Sequence, residues 1–241
     1  MIIHTRALVL NHIKYGETGL IATLYTEHSG RMSVLARGVY GKRNTRSALF
    51  QPLSLLEVSV GYRPGRDLHH LREASLSVPL SSIPFDPIKN GIALFLSEVL
   101  YKTLREETPN PGLFQFLSQS LQILDLCSFG TSNFHLIFLI QLSRHLGFSP
   151  QLAGDVSDEP AAPGMHLFAD PSSGGTPGSD KASAEWFSRL RQAGFEQMHL
   201  LEMDHRTRNH LVTELVRWYG LHMESCMDVK SLPVLTSVFS S

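Results

Sequence analysis

Residues 30 to 46 read Gly-Arg-Met-Ser-Val-Leu-Ala-Arg-Gly-Val-Tyr-Gly-Lys-Arg-Asn-Thr-Arg. Side chains alternate along an extended chain, so Met32, Val34 and Ala36 share one face, which suits a core. Two glycines then interrupt the alternation, as glycines do in turns and loops. The stretch therefore predicts a β-strand that opens into a loop.

The loop after this strand is basic. Lys42, Arg43 and Arg46 place three positive charges within five residues, and no apolar side chain in that segment requires burial. Clustered Lys and Arg commonly bind phosphate groups, but a run of charges is also typical of a solvated surface. The residues by themselves leave both interpretations open.

Charge is unevenly distributed along the chain. Residues 1–80 contain ten Lys and Arg against five Asp and Glu, whereas residues 81–241 contain 11 against 17. Such an asymmetry is a feature of many nucleic-acid-binding proteins, although it does not identify the surface. The opening Met-Ile-Ile-His-Thr-Arg predicts a strand rather than a signal peptide, and no apolar run reaches the roughly 18 residues of a membrane span. We therefore expect a cytoplasmic globular protein without a membrane partner.

Five short strands are predicted in the first 80 residues. Besides the strand quoted above, alternating or β-branched apolar residues occupy residues 2–15, 20–26, 53–62 and 67–78. A hairpin turn is expected before Gly30, which can adopt a positive φ. The count fits a small closed or nearly closed β-barrel, and an SH3-like barrel equally well.

The apolar spacing becomes helical after Pro84, with Asp86 as a suitable N-cap. Helices are predicted at residues 87–107, 111–124, 133–145, 183–193 and 204–225. The third is apolar on most sides, which favours a central position. An irregular, Pro- and Gly-rich insertion is expected at residues 149–182. The predicted fold class is α+β multidomain, with a barrel domain at 1–80 and an all-α domain at 81–241.

No pattern in the sequence indicates catalysis. The chain lacks the glycine-rich phosphate loops and the nucleophile elbow of common enzyme families. His205 and His210 are five residues apart and do not form a zinc-binding helix pattern, and Cys127 and Cys226 have no CxxC spacing. We expect a non-enzymatic protein with no metal site and no cofactor.

Several short motifs, taken in order, resemble those of the bacterial RecO family of recombination and DNA repair proteins. They are Gly19-Leu20, Leu24-Tyr25-Thr26-Glu27-His28-Ser29-Gly30, Met32-Ser33-Val34-Leu35-Ala36-Arg37-Gly38, Gln51-Pro52-Leu53, Leu71-Arg72-Glu73-Ala74, Gly147-Phe148-Ser149-Pro150-Gln151-Leu152 and Lys230-Ser231-Leu232. The resemblance spans the predicted barrel and continues into the helical part. No single motif identifies the family; the order of several weak motifs does.

The resemblance implies an N-terminal OB-fold that binds single- and double-stranded DNA and a helical C-terminal domain that meets protein partners. It implies strand annealing and, with RecR, assistance to RecA in displacing single-strand binding protein, in the cytoplasm at the nucleoid. Many family members carry four zinc-binding cysteines in the insertion, where this chain has Asp155, Asp158 and Pro177-Gly178-Ser179.

The expected site residues follow from the basic loop and this resemblance. For DNA they are Arg31, Arg37, Tyr40, Lys42, Arg43 and Arg46, with Tyr40 as the residue that stacks on bases. On the last long helix, Arg206 and Arg208 are expected to bind the acidic C-terminal tail of single-strand binding protein, although a solvated helix face explains them as well. The competing function is a protein-interaction adaptor whose basic barrel does not bind DNA.

Overall fold

A computed structural model describes residues 1–40, 46–150 and 177–239. The chain divides into two compact units, of which the first ends at Leu126 and the second begins at Cys127. The barrel and the two helices that follow it belong to the first unit. The expected domain boundary after residue 80 stays a prediction, because compactness does not test whether residues 1–80 fold without the helices.

The first unit contains a closed five-stranded barrel. Its strands are β1 (Ile2–Tyr15), β2 (Gly19–Thr26), β3 (Gly30–Ala36), β4 (Leu55–Gly61) and β5 (Leu68–Val78). They close in the order β1-β2-β3-β5-β4, with β3 and β5 parallel and the other neighbours antiparallel. The predicted OB-fold barrel is thereby confirmed.

Side chains at alternate positions along the strands fill the barrel core, as the sequence predicts. Met32, Val34 and Ala36 are buried in the barrel core, which confirms that this face of β3 points inward. A 3₁₀ turn at Arg46–Phe50 follows the basic loop, and it places Phe50 in the same core. The turn therefore holds the far end of the loop against the barrel.

Gly30, at the start of β3, adopts φ +61° as predicted. A Cβ atom at this position would lie 2.5 Å from the carbonyl oxygen of Thr108 and 2.6 Å from that of Glu106. The Arg31 backbone N–H donates a hydrogen bond of 2.9 Å to the same Glu106 oxygen. The β2–β3 turn is thus packed directly against the segment that follows the first helix.

Two helices complete the first unit, α1 (Pro87–Thr103) and α2 (Pro111–Leu126). The Asp86 carboxylate accepts hydrogen bonds from the backbone N–H groups of Ile88 and Lys89, which confirms the predicted N-cap. Helix α1 ends at Thr103 rather than at the expected residue 107, because the chain beyond it turns to pack against the β2–β3 turn.

Asp125, near the end of α2, fixes the connection between the barrel and α1. Its carboxylate accepts hydrogen bonds of 2.7–2.9 Å from the backbone N–H groups of Ser81, Ser82 and Ile83. The buried Lys89 ammonium donates to the Asp125 carbonyl oxygen at 2.7 Å. This cluster, which we call the Asp125 clamp, ties the two ends of the helical pair to the segment leaving β5.

The second unit contains α3 (Phe134–His145), α4 (Pro177–Gln192), α5 (His205–His222) and α6 (Leu232–Val238). Helix α3 is buried on nearly all sides, which confirms its predicted central position. Helix α4 begins at Pro177 rather than at Ser183 as expected. Most of the predicted insertion, including Asp155 and Asp158, lies outside the described residues.

Within the ranges that the structure describes, every helix is too short or too polar to cross a lipid bilayer.

Candidate nucleic-acid interface

The basic loop leaves β3 at one end of the barrel. The backbone N–H groups of Val39 and Tyr40 donate hydrogen bonds of 2.7 and 3.0 Å to the Thr18 carbonyl oxygen, in the turn between β1 and β2. The start of the loop is therefore held against that turn. Lys42 and Arg43 lie outside the described residues, so their assignment to the DNA surface stays a prediction.

Three arginines line one cavity of about 270 Å³ beside the loop. Arg37 comes from the end of β3, Arg46 from the start of the 3₁₀ turn and Arg72 from β5, and all three are exposed. We call this cavity the arginine pocket. Among the described residues, Glu73 is the one acidic residue that lines it. The other lining residues are apolar: Ala36, Val39, Leu49, Phe50, Leu71 and Ala74. Three guanidinium groups around one cavity are suited to bind an anion with several oxygens, such as a phosphate.

Arg72 is the pocket residue that the sequence analysis did not assign. It sits at a β-bulge, because Ser59 pairs with Glu73 while the next residue, Val60, pairs with Leu71. An additional residue in one strand re-aims the side chains around it. Strict alternation along β5 therefore gives no reason to select Arg72, although it stands in one of the motifs of the family resemblance.

Tyr40, the expected stacking residue, is half-buried and packs against the barrel core. The Lys14 ammonium lies 5.9 Å from the centre of its ring. The structure thus places Tyr40 beside a cation at the loop, but with much of its surface already covered. Its role in stacking on bases stays a prediction.

Arg31 lies at the opposite end of β3 from Arg37. Its Nη1 donates hydrogen bonds of 2.7 and 2.9 Å to the carbonyl oxygens of Tyr101 and Leu104, at the end of α1. A cation there also interacts favourably with the helix dipole. The six-residue separation along a strand corresponds to about 20 Å, so Arg31 is not part of the arginine pocket. Its assignment to DNA binding is untested, and these bonds give it a structural role.

The β1–β4–β5 side of the barrel is acidic. A groove of about 520 Å³ is lined by Glu27, Glu57 and Glu73, together with His4. Arg6 forms a two-point salt bridge with Glu27, with N···O distances of 2.6 and 2.8 Å. The hydrogen bond from Arg6 lowers the pKa of the Glu27 carboxyl, so the carboxylate stays charged at neutral pH. The groove therefore carries more negative than positive charge, and it adjoins the arginine pocket at Glu73, which lines both.

Arg206 and Arg208 occupy different environments. Arg206 is exposed in the first turn of α5. Arg208 is buried, and its guanidinium donates to the Asn133 side-chain oxygen at 3.0 Å and to the Met203 carbonyl oxygen at 2.9 Å. Burial lowers the pKa of Arg208. Arg208 lines an open cavity of about 510 Å³ together with Leu201 and Met203 among others.

Among the described residues, no three His, Cys, Asp or Glu side chains are grouped closely enough to hold a metal ion. Cys226 is buried and Cys127 is half-buried. The expectation that the protein lacks zinc stays a prediction, since the positions corresponding to the family's zinc-binding cysteines lie mostly outside these residues.

Comparison with known proteins gives matches over nearly the whole chain. Residues 1–79 match the family model described as Recombination protein O N terminal, and residues 84–233 match Recombination protein O C terminal. The DNA repair protein RecO of Bacteroides fragilis is 38% identical over 99% of this chain and 100% of its own length. Those of Phocaeicola vulgatus and Christiangramia forsetii are 36% and 33% identical, over 100% and 99% of this chain and the full length of each relative.

Proposed function

The chain belongs to the recombination protein O (RecO) family, and on that premise we propose that it acts in DNA repair as a non-enzymatic DNA-binding mediator. It binds single- and double-stranded DNA on the N-terminal barrel, anneals complementary strands and assists recombination. Relatives named as DNA repair proteins match it over their full length, which supports assigning it the same process.

The observation that carries the proposal is the convergence of Arg37, Arg46 and Arg72 on the arginine pocket. They come from three separate elements, and the cavity between them has an apolar floor. Because the neighbouring groove carries Glu27, Glu57 and Glu73 against Arg6, the charge pattern favours a phosphate backbone at the pocket rather than in the groove. Phosphate contacts of this kind position a nucleic acid without reading its sequence.

The test is a titration of fluorescent single-stranded and duplex DNA at several salt concentrations. Replacing Arg37, Arg46 and Arg72 with alanine should weaken binding to both. Each phosphate contact to a single strand contributes about 0.7 to the slope of log K against log salt, so losing three should flatten that slope by about 2. Sequence preference should not change.

A matched control removes three exposed positive charges elsewhere, at Arg105, Arg217 and Lys230. This variant should keep the wild-type slope. If the pocket variant and the control bind DNA equally well, DNA is held elsewhere on the protein. If wild type itself does not bind DNA, the basic surface is solvated and the adaptor function replaces the DNA-binding one. Circular dichroism of each variant shows whether the fold is retained.

We also propose partners for the second unit. RecR and the acidic C-terminal tail of single-strand binding protein bind there, and RecA is affected indirectly, in the bacterial cytoplasm at the nucleoid. The cavity lined by Leu201, Met203 and Arg208 offers the apolar and cationic side chains that an acidic tail with an apolar end requires, and Glu202 and Asp204 also line it. Arg206 supplies an exposed charge in the first turn of the same helix as Arg208.

A further inference from the structure

The arginine pocket lies along the edge of β5. Consecutive residues of that strand line it: Leu71, Arg72, Glu73 and Ala74. Leu71 and Ala74 pack against the barrel core, whereas Glu73 also lines the acidic groove of about 520 Å³. Because both faces of the strand contribute to the pocket, the pocket faces the edge between them, where the backbone N–H and C=O groups of a strand point.

This edge is open because β5 extends past its parallel neighbour. The pairing of β3 with β5 ends at Leu35 and His70, whereas β5 continues to Val78 and is paired with β4 as far as that residue. Among the described residues, no backbone group forms a hydrogen bond with residues 71–78 on the side away from β4. Residues 71–78 therefore have a neighbouring strand on one side only.

Solvent reaches this part of β5. Every side chain in residues 71–78 is exposed or half-buried. An open strand edge is a template for pairing with another extended chain, and proteins commonly protect such edges with lysine, proline or a covering element. Residues 71–78 contain neither lysine nor proline, and residues 74–78, Ala-Ser-Leu-Ser-Val, carry no charge. The edge is therefore suited to accept a further strand.

The wall opposite the edge determines which chain fits. It contains Arg37 and Val39, beyond the end of β3, and Arg46, Leu49 and Phe50 of the 3₁₀ turn. An extended chain beside β5 would follow on from the end of β3, and its side chains would alternate in direction. Apolar side chains suit Leu49 and Phe50, and carboxylates suit the two guanidinium groups of this wall.

We propose that residues 71–78 bind an extended, acidic segment of a protein partner as an additional strand beside β5. In this mode of recognition, backbone hydrogen bonds supply affinity and the contacts of alternate side chains supply specificity. A DNA strand does not present the regularly spaced N–H and C=O groups of a peptide, so it cannot pair with the edge. Peptide and DNA would nevertheless share Arg37 and Arg46, so binding of one should exclude the other.

The probe is a fluorescent peptide of alternating Glu and Val residues, as long as the open edge. Two further peptides carry backbone N-methyl groups, one at the odd positions and the other at the even positions. Each lacks the N–H donors along one edge and keeps every side chain. A backbone hydrogen bond contributes roughly 5-fold to affinity, so the peptide that loses two donors to β5 should bind about 30-fold more weakly than the parent peptide. The other N-methylated peptide should bind like the parent.

Amide hydrogen exchange locates the added strand. In free wild type, about half of the amides of residues 71–78 should exchange quickly, because alternate N–H groups of a strand point to opposite edges. The parent peptide should slow the exchange of those amides, and the N-methylated peptide that binds weakly should not do so at the same concentration.

Protein variants test the charge of the wall. Arg37→Glu combined with Arg46→Glu should weaken binding of the parent peptide. The matched control, Arg105→Glu combined with Arg217→Glu, reverses two exposed charges elsewhere and should bind the peptide like wild type. Circular dichroism of both variants shows whether the fold is retained.

The outcomes separate this inference from DNA binding. If both N-methylated peptides bind as tightly as the parent, charge alone holds the peptide and no strand is added. If the amides of residues 71–78 are already protected in free wild type, the chain itself covers the edge; if their protection rises with protein concentration, a second copy covers it. Each of these results overturns the proposal. If wild type binds the peptide through its backbone but binds no DNA, the proposed function is wrong and this inference stands.

Discussion

The Asp125 clamp gives a stability prediction that can be worked from its hydrogen bonds. In Asp125→Ala, the backbone N–H groups of Ser81, Ser82 and Ile83 lose their acceptor. Ser81 is exposed and Ser82 is half-buried, so water can replace the carboxylate at both, whereas the bond to Ile83 is buried. One buried unsatisfied donor costs about 1–3 kcal/mol, and hydrogen bonds to a charged group contribute more than neutral ones. We expect the free energy of unfolding to fall by about 2–4 kcal/mol.

The assay is urea denaturation followed by two signals. Both tryptophans, Trp186 and Trp218, lie in the second unit, so their fluorescence reports that unit, whereas far-ultraviolet circular dichroism reports both. Asp125→Ala should lower the transition seen by circular dichroism and leave the fluorescence transition in place. Because the units can unfold separately, each signal is fitted by itself.

The control is Asp86→Ala, which removes an N-cap from α1 and should cost about 1 kcal/mol. If Asp125→Ala costs no more than this control, the clamp does not stabilise the unit as argued. Acid gives an independent check. Burial raises the pKa of Asp125, but the three backbone donors outweigh it and the net pKa is lowered. The stabilisation should therefore be complete above the ordinary carboxyl pKa and lost as pH falls through the lowered one.

Four further outcomes are expected. Replacing the three basic residues of the loop at residues 42–46 with alanine should flatten the slope of log K against log salt for single-stranded DNA by about 2, without changing sequence preference. An unaltered slope would mean that DNA binds elsewhere on the protein. Arg206→Glu should weaken binding of an acidic tail peptide at unchanged stability, whereas Arg208→Ala should lower the urea midpoint of the second unit because Asn133 and Met203 lose a donor. Burial, followed by the charge of Arg208, lowers the pKa of His135 to about 3. Between about pH 3 and about pH 6.5, the unfolded chain therefore binds more protons at His135 than the folded chain does. The free energy of unfolding should decrease as the pH is lowered through this window, by up to about 1.4 kcal/mol per pH unit, and His135→Leu should make it less dependent on pH. Elemental analysis should find no stoichiometric zinc; one zinc per chain contradicts this.

Features set by neighbouring residues were predictable from the sequence. The burial of Met32, Val34 and Ala36 follows from the two-residue period of a strand with one face in a core. The cap at Asp86 follows from hydrogen bonds within three residues. Both depend on contacts that lie within one turn or one strand.

Features set by distant contacts were not predictable. Arg72 joins the pocket through a bulge that exists only in relation to β4. The apparent helical pattern runs past Thr103, but the chain there forms a contact with Arg31 instead of a further turn. The assignment of Arg31 to DNA binding stays a prediction, but nothing in the sequence indicated its hydrogen bonds to the carbonyl oxygens of Tyr101 and Leu104, about 70 residues further along the chain. In each case a partner far along the chain determines the outcome.

The pairing of β3 with β5 has a consequence for the order in which the chain can fold. The three residue pairs that join these strands begin with Ser33 and Leu68, which are separated by all of β4 and its flanking loops. Contacts between such distant segments form slowly, because a long loop must close first. During synthesis, β1, β2 and β3 emerge before any strand that can complete the barrel, and β3 exposes unpaired N–H and C=O groups to other nascent chains. That open edge persists until β5 has left the ribosome, so the period of greatest risk of aggregation outlasts the synthesis of the fifth strand and ends when that strand pairs with β3.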